Sequence, residues 1–155
     1  MIVSDASTLI VLSDLDRWEL LGNLFDRVLI PPQVDRELRR GVKTDTPEWL
    51  QVQPVREDDT LKLLRHLLDP GESEAIALAL QTGLSLIIDE KKGRAIARRK
   101  GVKIMGLLGV VYANARKGFL ALDEAEVFMT SVRNHGFRIH PKLIDALIRK
   151  LKGLA

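Results

Sequence analysis

The chain contains no cysteine, which excludes disulfides, thiolate metal centres and a cysteine nucleophile and fits a reducing compartment. Aromatic residues make up only 5%, so stacking on splayed bases is not an obvious mode for any nucleic-acid binding. No apolar run approaches the roughly 18 residues that a membrane span needs. No basic region, apolar stretch and small-residue cleavage site precede the first strand pattern, which predicts a cytoplasmic protein without a secretory leader. Neither charge sign dominates: 24 Lys and Arg face 21 Asp and Glu, for a net +3. Such a bias names no polyanion partner by itself, and the distribution of charge matters more.

What is present is ordinary in bulk. The 155 residues are 46% hydrophobic and 29% charged, enough for one domain with a real core. Repeats, low-complexity segments and a domain linker are absent from the sequence. Short apolar runs alternate with helical stripes, which predicts an α/β fold with a parallel sheet. The runs are Ile2 to Asp5, Val28 to Ile30, Leu84 to Asp89 and Val102 to Met105, with a possible edge strand near Val52. Helices are expected over Ser7 to Leu15, Asp16 to Phe25, Pro32 to Arg40 and Thr60 to Leu68. Further helices are expected over Glu72 to Gln81 (ended by Gly83), from Asp89 to Lys100, and over Leu107 to Lys117, Leu122 to Asn134 and Pro141 to Leu151. Gly41 to Pro54 reads as the loopiest stretch.

Two of the apolar runs end on an aspartate, Asp5 and Asp89. In open α/β sheets ligands sit at the strand carboxyl ends. Two carboxylates delivered there repel, so one takes up a proton or a cation lies between them. Glu37 borders the apolar stripe of Val34 and Leu38, and Glu72 shares a helix face with Ala75, Ile76 and Ala79. Glu74 begins another stripe and is the weaker rival of Glu72. Each acid also has a structural explanation: Asp5 in an Asx turn or cap, Glu37 paired with Arg40, Asp69 and Glu72 in a capping box, Asp89 capping the next helix. If the four acids converge, oxygen-only ligands suit Mg²⁺ or Mn²⁺. Such an ion activates water and needs no histidine base, and His66, His135 and His140 are scattered.

From Lys91 to Lys103 there are seven basic residues and no acid. A solvated helix face accounts for such a run, but this one borders the proposed cation, where a polyanion backbone would lie. Arg36, Arg39 and Arg40 stand beside Glu37 and add to it.

The order of these features resembles the PIN-domain family. It runs through Asp5 with Ser7, Ile30-Pro31-Pro32 with Glu37, Gly71-Glu72 opening an Ala-rich helix, and Ile87-Ile88-Asp89. The chain is most similar to prokaryotic VapC-type toxin ribonucleases, in a branch reading Gly-Glu-x-Glu-Ala-Ile (Gly71 to Ile76) and Asp-x-x-x-Gly-Arg (Asp89 to Arg94). The likeness runs from Ile2 to about Gly118 and is looser beyond. Residues 1–155 are therefore expected to form one PIN-like domain, with a core to about 118 and a helical extension over about 119–155.

The resemblance implies a three-layer α/β fold whose central parallel sheet has about five strands flanked by helices. It places the family's acids on Asp5, Glu37, Glu72 and Asp89, and its hydroxyl residue on Ser7. It further implies Mg²⁺- or Mn²⁺-dependent cleavage of RNA phosphodiester bonds by the toxin of a type II toxin–antitoxin pair. In that reading Asp5, Glu72 and Asp89 hold the metal, Glu37 acts on the ion or its water from behind them, and Ser7 and Arg94 position phosphate. A small antitoxin and a homodimer are the implied partners. Two departures stand out: Glu replaces the usual Asp at position 72, and Asp89-Glu90-Lys91-Lys92 lacks the common Asp-x-Asp-Phe. The alternative is a non-catalytic PIN-fold module binding nucleic acid or protein. A Rossmann-type nucleotide binder is weakened because Asp5-Ala6-Ser7-Thr8 has no glycine for pyrophosphate approach.

Overall fold

The computed structural model describes residues 1–42 and 45–154. Lys43 and Thr44, in the stretch read as loop, and Ala155, at the end of the expected extension, lie outside the described residues. Five short strands form one all-parallel sheet: β1 (Ile2–Ser4), β2 (Val28–Ile30), β3 (Leu50–Val52), β4 (Leu86–Ile87) and β5 (Ile104–Met105), in the order β3-β2-β1-β4-β5. β1, β2 and β4 are wholly buried, as continuous apolar runs in the middle of a parallel sheet should be. β3 is the half-exposed edge near Val52 that the sequence hinted at.

The helices are α1 (Ala6–Asp14), α2 (Glu19–Gly22), α3 (Pro32–Gly41), α4 (Asp59–Leu67), α5 (Pro70–Thr82), α6 (Lys91–Arg99), α7 (Leu107–Arg116), α8 (Leu122–Asn134) and α9 (Pro141–Lys152). They flank the sheet in the α/β arrangement expected from the sequence. α1, α3, α5 and α4 pack one on the next, while α2, α8 and α9 gather on α7. α5 carries Ala75, Ile76, Ala77, Leu78 and Ala79 fully into the core, and Gly83 ends it in the left-handed conformation at φ 71°. Phe128, Met129, Val132, Leu147 and Leu151 of α8 and α9 join the same hydrophobic cluster as Ile2 and Val3.

The helix expected over Asp16 to Phe25 is a single turn instead. Asp16, the first residue of that stretch, adopts a positive φ of 55°, so the helix cannot start there. The following stripe is satisfied by successive turns, in which Leu24 N–H and Phe25 N–H both donate to the Leu21 carbonyl. The run to Asp89 also pairs over fewer residues than its apolar length, only Leu86–Ile87. Among the described residues no helix is long and apolar enough to cross a membrane.

Strand order makes the gap between β1 and β4 the switch point of the sheet. From β1 the chain steps to β2 and β3 on one side, then crosses back to β4 on the other. The crevice outside the carboxyl ends of such a pair is where open α/β sheets place ligands.

Candidate active site

The register of β1 and β4 brings the two strand-end aspartates to the same edge of the sheet, with Asp89 one position beyond Asp5. Ser4 lies opposite Ile87, and the Asp5 N–H donates to the Ile87 carbonyl at 2.9 Å. Asp5 occupies the N-cap position of α1 yet its side chain makes no capping hydrogen bond, so the structural explanation for this acid is unused. Its residue is only 6% exposed. Burial pushes its carboxyl up to about 7, partly opposed by the Ala6 N–H, and the nearby charges of Asp69, Glu37 and Asp89 push it the same way.

Asp89 is held from two helices. The Thr8 hydroxyl of α1 donates to its Oδ2, and the Leu107 N–H donates to its Oδ1 at 3.0 Å. It thus caps α7 rather than the basic helix. Glu90 caps that helix, accepting from Gly93 N–H at 2.8 Å.

Glu72 opens α5, where Asp69 is the N-cap and accepts from the Glu72 N–H at 2.8 Å. The Glu72 carboxyl is pushed up to about 8, first by burial, then by its hydrogen bond and charge repulsion with Asp69, then by Asp5 and Glu90. A Cβ on Gly93 would stand 2.7 Å from Ile88 Cδ1 and 3.1 Å from Glu72 Oε2, so the glycine of the Asp-x-x-x-Gly-Arg motif makes room for the core side chain of Ile88 and for this acid. Gly71 does the same for Glu37, whose Oε2 lies 2.7 Å from a Cβ built there. Burial raises the Glu37 carboxyl and Asp69 adds to it, while Gln33 and Arg40 oppose. Arg40 thus acts on Glu37 through its charge, and the carboxylate points at Gly71 in the first turn of α5.

Glu74 turns away from this group. Its Oε1 accepts from the Gln33 N–H at 3.0 Å, and its Oε2 lies 3.8 Å from Arg65 Nη2. Of the two rivals at this corner, Glu72 faces Asp5 and Asp69, and Glu74 ties α5 to α3 and α4. Ser7 is exposed in the first turn of α1. Arg94 spends one donor on the Ile88 carbonyl at 2.9 Å, next to Asp89. Arg36 and Arg39 hold Gln33 and Asp35 of their own helix.

Three contributors escape a reading of the sequence: Asp69, Glu90 and Thr8. Asp69 precedes Pro70-Gly71 as any N-cap would, and it does cap; its second role, between Glu37, Glu72 and Asp5, leaves no local signal. Thr8 differs from Ser7 only in pointing one helical position further, onto the buried side of α1.

Among the described residues no three acidic or histidine side chains stand close enough to cage an ion as placed. The donor chemistry nonetheless fits a hard divalent cation. The set is oxygen-only, and Asp5 and Glu72 keep protons near neutral pH that a cation would displace. Carboxylates with one partner per oxygen, as in Asp89, retain a lone pair for a metal.

A family model described as a PIN domain matches residues 1–153, which takes in α8 and α9 beyond the stretch that carries the motifs. No curated protein matches the chain.

Proposed function

The chain belongs to the PIN-domain family, and from that premise we propose that it is a Mg²⁺- or Mn²⁺-dependent endoribonuclease acting as the toxin of a toxin–antitoxin pair. The observation that carries this reading is the gathering of Asp5, Asp69 and Glu72, with Glu37 and Asp89, at the carboxyl ends of β1 and β4. Asp5 and Glu72 are buried, and with Asp69, Glu37 and Asp89 around them their charged forms disfavour each other unless a cation joins them.

In this reading Asp5, Glu72 and Asp89 hold the ion, and Glu37 and Asp69 stand behind them. A divalent cation bound there lowers the pKa of a coordinated water and offsets charge on the phosphoryl oxygens. Thr8 keeps Asp89 oriented, and the Asp69 cap keeps the first turn of α5 in place under Glu72. Ser7, exposed beside Asp5, and Arg94, beside Asp89, position the phosphate that is cut. No histidine is asked to act as base. A small antitoxin protein and a second copy of the chain complete the proposed setting.

Overexpression tests the reading: wild type arrests growth and Asp5→Asn abolishes the arrest. Equal toxicity of the variant sinks catalysis as its cause. A second reading, a PIN-fold binding module without catalysis, draws on the engagement of both Asp89 oxygens by Thr8 and Leu107. It requires RNA binding without cleavage at any divalent-cation concentration.

A further inference from the structure

We infer that the segment before α9 completes the substrate site, forming with α6 and the β5–α7 corner a groove that receives one unstacked nucleotide of a single-stranded RNA. The assignment of RNA rests on the nuclease reading of the acidic cleft; the groove itself rests on separate residues. Its volume is about 700 Å³, within the roughly 300–1,000 Å³ that ligand sites occupy. Asp89 belongs both to the acidic cleft and to the wall of this groove, so an occupant lies directly beside the proposed cleavage point.

The basic run after Asp89 divides by helical period. Lys91, Arg94 and Arg98, at i, i+3 and i+7, line the groove, and Arg138 joins them from the segment between α8 and α9. Lys92 faces the other way, onto the cleft of Asp69, Glu72 and Glu90. Among the described residues none of the four groove cations is ion-paired. Met105, Leu108, Ile139 and Leu143 supply apolar surface in the same groove, and Leu143 is 54% exposed.

Positive charge without an ion-pair partner beside uncovered apolar surface matches a nucleotide, with phosphate on the rim and base on the floor. A duplex keeps its bases stacked inside and offers only backbone to such a rim, leaving the floor uncovered. His140 adds a directional group. Its Nδ1 accepts from the Lys142 N–H at 3.1 Å as the cap of α9, which leaves the proton on Nε2 for a base or ribose oxygen.

The test is binding of a fluorescein-labelled hexanucleotide RNA in EDTA, by anisotropy, to wild type, Arg138→Ala and Leu143→Ser, with melting curves to show that all three fold. Arg138→Ala is expected to weaken binding about tenfold and to flatten the slope of log K against log salt by about 0.7. Leu143→Ser is expected to weaken it several-fold with the slope unchanged, and duplex RNA of equal charge to compete poorly. No binding by wild type, unchanged binding by both variants, or equal competition by duplex overturns the groove. Cleavage in Mn²⁺ separates the two proposals. Wild type that binds in this way but cuts nothing keeps the groove and loses the nuclease; wild type that cuts RNA while both variants cut it at the same kcat/KM keeps the nuclease and loses the groove.

Discussion

Thr8 donates its hydroxyl hydrogen to the Asp89 carboxylate, joining residues 81 positions apart. With Leu107 N–H on the other oxygen, the bond fixes one candidate ligand from two helices at once. Thr8 is 1% exposed, so little water is available to replace the donor. Thr8→Val keeps the shape and removes the bond. It is expected to cost about 1 kcal/mol of stability in urea unfolding and to lower divalent-cation affinity roughly tenfold, the scale seen when groups that orient ligands are removed. Thr8→Ser should restore most of the affinity. Unchanged metal binding in Thr8→Val would show that the bond serves packing alone.

A pH dependence follows from Asp5 and Glu72, held at about 7 and about 8 in the folded chain. Both lie above their ordinary values, so the folded state binds more protons than the unfolded one in between. The associated stability is complete below the ordinary carboxylate range and is lost as pH rises through the folded values. Without divalent cations, Tm should therefore fall from about pH 5 to about pH 8 by this contribution, and Asp5→Asn should flatten the fall. Mg²⁺ or Mn²⁺ binds the deprotonated form, so it should raise Tm more at about pH 8 than at about pH 5. Differential scanning fluorimetry across that range reads both effects.

The two glutamates of α5 should separate by function. Glu72→Gln is expected to remove most divalent-cation binding while raising the metal-free Tm near pH 8, because a repelled acid is gone. Glu74→Ala removes the acceptor for Gln33 N–H and the contact with Arg65, and should cost about 1 kcal/mol, the size of a lost helix cap, with metal binding kept. Titration calorimetry paired with urea unfolding distinguishes them. The opposite pattern would make Glu74 the ligand.

Elements with their own local period were legible: β2 and α8 begin and end where the sequence put them. The Asp16 to Phe25 stripe misled because spacing of three to four also fits consecutive turns, which is how residues up to Phe25 are bonded, and the positive φ at Asp16 removes the expected start. Sheet order was beyond reach, since pairing β4 with β1 rather than with β3 is a long-range choice. For the acids, strand position pointed to Asp5 and Asp89 and helix face to Glu37 and Glu72. Asp69 and Thr8 stayed hidden because a cap that also faces a cleft is locally identical to one that does not. The basic run declared its total charge but not its direction. Only helical phase in space separates Lys91, Arg94 and Arg98 from Lys92, and Arg138 reaches them from far along the chain.

The most direct measurement is calorimetric titration of Mn²⁺ into wild type and Asp89→Asn, with cleavage of a single-stranded RNA assayed on the same samples. A metal-centred nuclease site predicts that wild type binds Mn²⁺ and cuts the RNA, and that Asp89→Asn loses both while its melting curve still shows a folded protein. Wild type that binds no divalent cation, or Asp89→Asn that cuts RNA as fast as wild type, would contradict it.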